Sequence, residues 1–173
     1  MTSPESAAGP RAARPARIGV LLSGRGSNFV ALAQALARGA APAEIVLVAS
    51  NVADAPGLAR ARELAIPTAV LPQRDFPSRV AHEAALRASL REAGAEWICL
   101  AGYMRLLSPE FVAAYPMHVL NIHPSLLPAF PGLHPQRQAL AAGVRISGCT
   151  VHLVDAGLDS GPINLVNKEL LRA

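Results

Sequence analysis

Short unbroken apolar runs recur along this chain, each ending in a cluster of glycine and polar residues and each followed by a stretch of helical composition. Residues 18–22 (IGVLL) run into Ser23-Gly24-Arg25-Gly26-Ser27-Asn28 and then into FVALAQALARGA, which closes on Gly39 as the residue just past a helix. Residues 44–50 (EIVLVAS) read as a second strand, 56–64 as a short helix with Pro56 in its first turn, and 68–71 as a third strand. Ser78 is placed to cap a longer helix reaching about residue 93, with Leu86 and Leu90 on one face and Glu83 and Arg87 as a supporting i,i+4 pair. A strand at 97–101 (WICLA), a helix opened by Ser108-Pro109-Glu110, a strand at 119–122, a helix at 136–142 and strands at 150–154 and 163–166 complete the series.

Apolar runs that do not alternate belong to strands buried on both faces by helices. The series therefore predicts an α/β fold: a doubly wound, mostly parallel sheet flanked by helices, in one domain without an internal repeat. A chain of 173 residues that is 51% hydrophobic has the core for it, and is too apolar to stay disordered. No apolar run approaches the ~20 residues that would span a bilayer. The net charge of +4 owes part of its excess to Arg11, Arg14 and Arg17, so it does not argue for a nucleic-acid partner. Those arginines lie in a Pro/Ala/Ser-rich segment, residues 1–17, which is expected to be a disordered tail and lacks the apolar core of a secretory signal. Cys99 and Cys149 have no metal-type spacing and fit a reduced, cytoplasmic protein; the histidines and cysteines together suggest no metal site.

In an open parallel sheet, ligands bind beyond the carboxyl ends of the strands. The small residues of the first loop let backbone N–H groups approach an anion at a helix N-terminus. Gly24, Gly26 and Ser27 suit that role, with Asn28 as a further donor. The third glycine of a dinucleotide fingerprint is missing, so a monophosphate fits better than a pyrophosphate; a strand–helix turn that binds nothing is equally compatible. In Asn121-Ile122-His123-Pro124-Ser125 an extended backbone points Asn121 and His123 to the same face, where an amide and an imidazole suit charge developing on a carbonyl oxygen. A single histidine more commonly satisfies a backbone carbonyl. Asp159, in Leu-Asp-Ser-Gly-Pro, would favour the imidazolium if it reached His123. Arg105 suits a carboxylate or plain solvent, and Met104, Leu106 and Leu107 an apolar pocket or core packing. His134 and His152 suit polar lining or structural hydrogen bonds, while His82 and His118 are assigned no role.

Taken together and in this order, Ser-Gly-Arg-Gly-Ser-Asn, Ala-Gly-Tyr-Met-Arg-Leu-Leu, Asn-Ile-His-Pro-Ser-Leu-Leu-Pro, Pro-Gly-Leu-His and Leu-Asp-Ser-Gly-Pro closely resemble the phosphoribosylglycinamide formyltransferases, over residues 17–163. The resemblance implies a formyltransferase-type Rossmann-like fold. It also implies transfer of the formyl group of 10-formyltetrahydrofolate to the amine of glycinamide ribonucleotide in purine biosynthesis. Position by position, it makes Gly26, Ser27 and Asn28 the substrate's phosphate site, and Asn121, His123 and Asp159 the catalytic trio. Arg79, Met104, Arg105, Leu106, Leu107 and Asn121 then contact formylfolate, with Asp155, Ala156, Gly157, Leu158 and Asp159 as the other wall. The expected ligands are those two small molecules, with no metal, nucleic acid or membrane, in a cytoplasmic monomer or homodimer.

Two relatives that share the His-Pro-Ser and Asp motifs fit less well. A methionyl-tRNA formyltransferase implies a further RNA-binding domain, and a formyltetrahydrofolate hydrolase an N-terminal regulatory domain. Family members continue for several dozen residues past the Gly-Pro-Ile strand, whereas here Asn164-Leu165-Val166-Asn167-Lys168 leads to Ala173. The resemblance thus implies residues 18–173 as a formyltransferase domain that is C-terminally truncated or frame-altered. The alternative to an active enzyme is an impaired or non-catalytic nucleotide- and folate-binding remnant.

Overall fold

The computed structural model describes residues 14–155 and 157–170. The chain begins with β1 (Ala16–Leu22), α1 (Ser27–Ala37), β2 (Ala43–Ser50), α2 (Pro56–Glu63) and β3 (Thr68–Val70). It continues through α3 (Arg79–Glu92), β4 (Trp97–Leu100), α4 (Pro109–Ala113), β5 (Val119–His123), α5 (Pro135–Ala141), β6 (Ile146–Leu153) and β7 (Ile163–Leu170). The strands form one sheet in the order β3-β2-β1-β4-β5-β6-β7. Pairings from β3 through β5 are parallel, while β6 runs antiparallel to β5 and β7 antiparallel to β6. The expected mostly parallel, doubly wound sheet is what forms.

Two apolar clusters explain the helix placement. Ile18, Val20, Leu22 and Val48 pack against Phe29 of α1 and Leu58 and Ala61 of α2 on one face. Leu21, Leu47, Ala49, Ile98 and Val119 pack against Leu86 and Leu90 of α3 and Phe111 of α4 on the other. Since neighbouring residues of β1 feed opposite clusters, its apolar run has no polar position to spare. That logic holds for β1 and the end of β2 but not elsewhere. Only alternate residues of β4 (Ile98 and Leu100) are buried, and residues 163–168 of β7 are exposed.

Several expectations shift. β1 begins at Ala16 and Arg17 is fixed, its guanidinium donating to the carbonyls of Ala93 and Gly94 and pairing with Glu44, so the proposed tail does not extend to residue 17. Arg14 pairs with Glu96; residues 1–13 lie outside the described residues. Strand β6 starts four residues before Thr150 (150 − 146), because pairing with β7 carries it through Ser147 and Gly148, which interrupt an apolar run without breaking a ladder. Ser78 caps α3 as expected, its hydroxyl accepting from the Ala81 N–H. Glu83, however, pairs with Arg79 one turn earlier rather than with Arg87 (N–O 2.9 Å), because it is buried under the loop that follows β4.

Candidate active site

Chain order in the sheet reverses between β1 and β4, and in an open α/β sheet such a reversal puts the ligand crevice at the carboxyl ends of those strands. The first loop enters α1 through Gly26, whose φ of 73° is left-handed and whose missing Cβ would lie 2.8 Å from the Gly57 Cα. Only glycine meets both demands. No side chain caps α1, and its first turn opens with the exposed Ser27 and Asn28. The loop after β4 lies alongside: Ser23 N–H donates to the Gly102 carbonyl and Met104 N–H to Ser23 Oγ. Within it Met104, Arg105 and Leu106 are exposed, while Leu107 is buried in the core.

The polar centre is built by β5, β6 and the loop between β6 and β7. Asn121 and His152 are direct partners across the antiparallel β5–β6 pair, so their side chains share a face. His152 Nδ1 lies 2.9 Å from the Leu153 carbonyl oxygen, which requires an N–H there and leaves Nε2, in the neutral ring, as the acceptor for Asn121 Nδ2 at 3.1 Å. The second amide hydrogen of Asn121 faces Asp159 Oδ1 at 3.4 Å. Asp159 Oδ2 takes the Gly132 N–H at 2.8 Å and lies 3.3 Å from His123 Nδ1. The other nitrogen of His123 faces the Phe130 carbonyl oxygen at 2.9 Å. Ser125 and Thr150 hold the connecting loop: Thr150 Oγ1 donates to the Ser125 carbonyl and accepts from Leu127 N–H, and Ser125 Oγ donates to Ala129 O.

Asp159, with 9% of its side chain exposed, is thus the hub on which Asn121, His123 and His152 converge. Burial of a carboxylate is tolerable only with donors facing it, here the Asn121 amide and the Gly132 N–H. His123 does bond a carbonyl, as a lone histidine commonly would, and also meets Asp159. His152 is the functional candidate that motif reading left open; its signal, the β5–β6 register, is not visible in one strand alone. Asp155 accepts from Gly157 N–H and Ser160 Oγ, shaping the turn that presents exposed Leu158. Ala156 lies outside the described residues.

Arg79 is half-exposed and already committed to Glu83 and to the Leu106 carbonyl, 2.8 Å away. His134 is exposed at the start of α5, His82 is buried against the Leu71 carbonyl and His118 stacks on Trp97. Burial pushes the Cys99 thiol up to about 11, which favours the protonated, weakly nucleophilic form at neutral pH. Among the described residues no group of three or more His, Cys, Asp or Glu side chains is arranged to hold a metal ion, and no helix is long and apolar enough to cross a membrane. A cleft of about 470 Å³ opens at the opposite, amino-terminal rim of the sheet, but Arg14 and Arg17 in its wall are spent on Glu96, Glu44 and the end of α3.

A mostly parallel sheet carries an amide and an imidazole on β5 and a carboxylate in the β6–β7 loop, groups suited to charge developing on a carbonyl oxygen, and the family model described as "Formyl transferase" matches residues 16–171. The chain belongs to that family. The match runs past Ile163, so the likeness to the family extends further along the chain than the motifs do. The chain is 45% identical over 149 residues to the phosphoribosylglycinamide formyltransferase of Escherichia coli K12, covering 86% of this chain and 70% of that protein. It is 53% identical over 149 residues to the trifunctional purine biosynthetic protein adenosine-3 of Drosophila pseudoobscura pseudoobscura, covering 85% of this chain but spanning only 11% of that protein's length. The solved structure of glycinamide ribonucleotide transformylase 1 from Symbiobacterium toebii superposes with a TM-score of 0.89 at 47% identity, covering 92% of this chain and 75% of that one.

Proposed function

We propose that this chain transfers the formyl group of 10-formyltetrahydrofolate to the amine of glycinamide ribonucleotide, in the cytoplasm, as a step of purine synthesis. The observation that carries this reading is the convergence of Asn121 and His123 on buried Asp159 at the mouth of the β1–β4 crevice. The names of the relatives point to glycinamide ribonucleotide and a formyl group, and the motif resemblance to formylfolate as the donor.

In this reading the uncapped start of α1, with Gly26, Ser27 and Asn28, receives the ribonucleotide phosphate. Formylfolate lies between residues 104–107 and 155–159, with Arg79 beside them. The amine attacks the formyl carbon, and the carbonyl oxygen gains negative charge as the C=O bond opens. One hydrogen of the Asn121 amide is held by His152; the other makes only a long contact with Asp159 and is the one the oxygen captures. The Phe130 carbonyl faces Nε2 of His123 at 2.9 Å, so the nitrogen open to the oxyanion is Nδ1, whose contact with Asp159 is long at 3.3 Å and gives way as the oxyanion forms. Collapse of the adduct breaks the bond from the formyl carbon to the folate nitrogen, which takes up the proton that the attacking amine gives off. Asp159 stays beside the ring and keeps His123 oriented toward the oxyanion. No covalent enzyme intermediate is needed.

Purified protein supplied with both substrates should form formylglycinamide ribonucleotide and tetrahydrofolate in equal amounts, and His123→Ala should abolish most of that rate. A folded protein that binds the ligands but gives no product, with or without the substitution, would favour a binding remnant instead.

A further inference from the structure

Glu83 has no part in the chemistry above, yet it is a carboxylate only 5% exposed on the face of α3. Its partners lie in the loop after β4 and at the start of its own helix. Oε1 accepts from Arg79 Nε at 2.9 Å and from the Ser108 N–H at 3.1 Å, and Oε2 accepts from the Ser108 hydroxyl. Arg79, held by that pair, turns its Nη2 to the Leu106 carbonyl. Glu83 therefore grips the end of the loop twice, directly at Ser108 and through Arg79 at Leu106. The other end is fixed by Ser23, which bonds Gly102 and Met104 and is itself tied to Asn51 by a 2.6 Å contact between Oγ and Oδ1.

Capping of α4 does not account for the carboxylate. Ser108 Oγ already caps that five-residue helix by accepting from Phe111 N–H, and Glu83 adds the second half of the arrangement by taking the hydroxyl's own hydrogen. What lies between the two anchors is the exposed run Met104, Arg105 and Leu106. Tyr103, pushed up to about 12 by burial, sits in the combined field of Arg105, Glu83 and Arg79, so the same charges bracket the buried side of the loop.

We infer that Glu83 is a positioning residue for the co-substrate: it holds residues 104–107, and the guanidinium of Arg79, in the shape that receives the folate. This rests on the functional reading above, and it separates binding from chemistry, since Glu83 touches none of Asn121, His123 or Asp159. A neutral side chain at residue 83 loses the charge-assisted bonds to Arg79 and Ser108 and frees the end of the loop.

The test uses the full chain with Glu83→Gln, and Ser108→Ala as a milder second variant that removes only the hydroxyl. Binding of 10-formyltetrahydrofolate is measured by calorimetry, steady-state constants by formyl transfer, and amide exchange is followed across residues 102–108 without ligand. In Glu83→Gln the Kd and KM for the folate should rise at least about tenfold, from the loss of bonds to a charged group. The KM for glycinamide ribonucleotide and kcat should stay within about twofold. Exchange of the Ser108 N–H should quicken in Glu83→Gln, and Ser108→Ala, which keeps that N–H on Oε1, should raise the folate Kd by less. Failure of the wild-type protein to bind the folate would overturn the functional reading and this inference with it. Binding by the wild type that Glu83→Gln leaves unchanged, or a fall in kcat with no change in the folate constants, would overturn this inference alone.

Discussion

Asp159 does more than any other single residue in the site, because each of its oxygens faces groups of different chemistry. Oδ1 meets the Asn121 amide and Oδ2 meets a backbone N–H and His123. Asp159→Asn keeps the shape but sets an NH₂ group against one of those donors. Steady-state kinetics should show kcat down on the order of 100- to 1,000-fold, with circular dichroism unchanged. Gly26→Ala is expected to act on the fold as well. It forces an alanine into a left-handed φ of 73° and against the Gly57 Cα, so denaturant unfolding should show a loss of at least about 1–2 kcal/mol, along with a raised KM for the ribonucleotide. At this scale Asn121 and His123 were legible in the sequence, because strand geometry alone puts i and i+2 on one side. Asp159 was legible as a candidate only, since its contact with His123 spans a loop that spacing does not describe. His152 could not be assigned, because its tie to Asn121 depends on which residues of two distant strands face one another.

Among the elements, α3 was read closely, from its Ser78 cap to its end, because capping and leucine spacing are local signals. Ser78→Ala leaves the Ala81 N–H without its partner and should lower stability by about 1 kcal/mol in urea unfolding. The side-chain pairing on that helix was misread, since the i,i+4 rule offers Glu83 two partners and tertiary burial selects Arg79. Strands β6 and β7 were read short for a related reason. Apolar runs mark strands buried on both sides, whereas these two extend through Gly148, Asn164, Asn167 and Lys168, held by an antiparallel ladder at the sheet's edge. Edge strands are recognised by pairing, which a single segment does not reveal.

For the molecule as a whole, the reversal of strand order between β1 and β4 gathers loops far apart in sequence around one crevice; their clustering at one rim followed from the strand–helix alternation, whereas the strand order did not. The interior that supports the crevice also sets an alkaline limit. Burial raises Cys99 from 9.0 to about 11 and Tyr103 from 10.0 to about 12, so the folded state keeps protons that the unfolded chain loses. Stability should therefore be unaffected by these groups below about pH 9 and fall as pH rises toward 11 and 12. Cys99→Ala should flatten the lower part of that fall in thermal melts taken across the range. The claim that all of this structure serves is direct transfer of a formyl group by the Asn121–His123–Asp159 cluster. It is tested most directly with 10-formyltetrahydrofolate carrying ¹³C in the formyl group, followed by NMR in wild-type protein and in Asn121→Ala and His123→Ala. The label should move to the amine of glycinamide ribonucleotide in the wild type, and transfer should slow on the order of 100-fold or more in each variant while both ligands still bind. Label released as formate, or passed on at an undiminished rate by the variants, would contradict it.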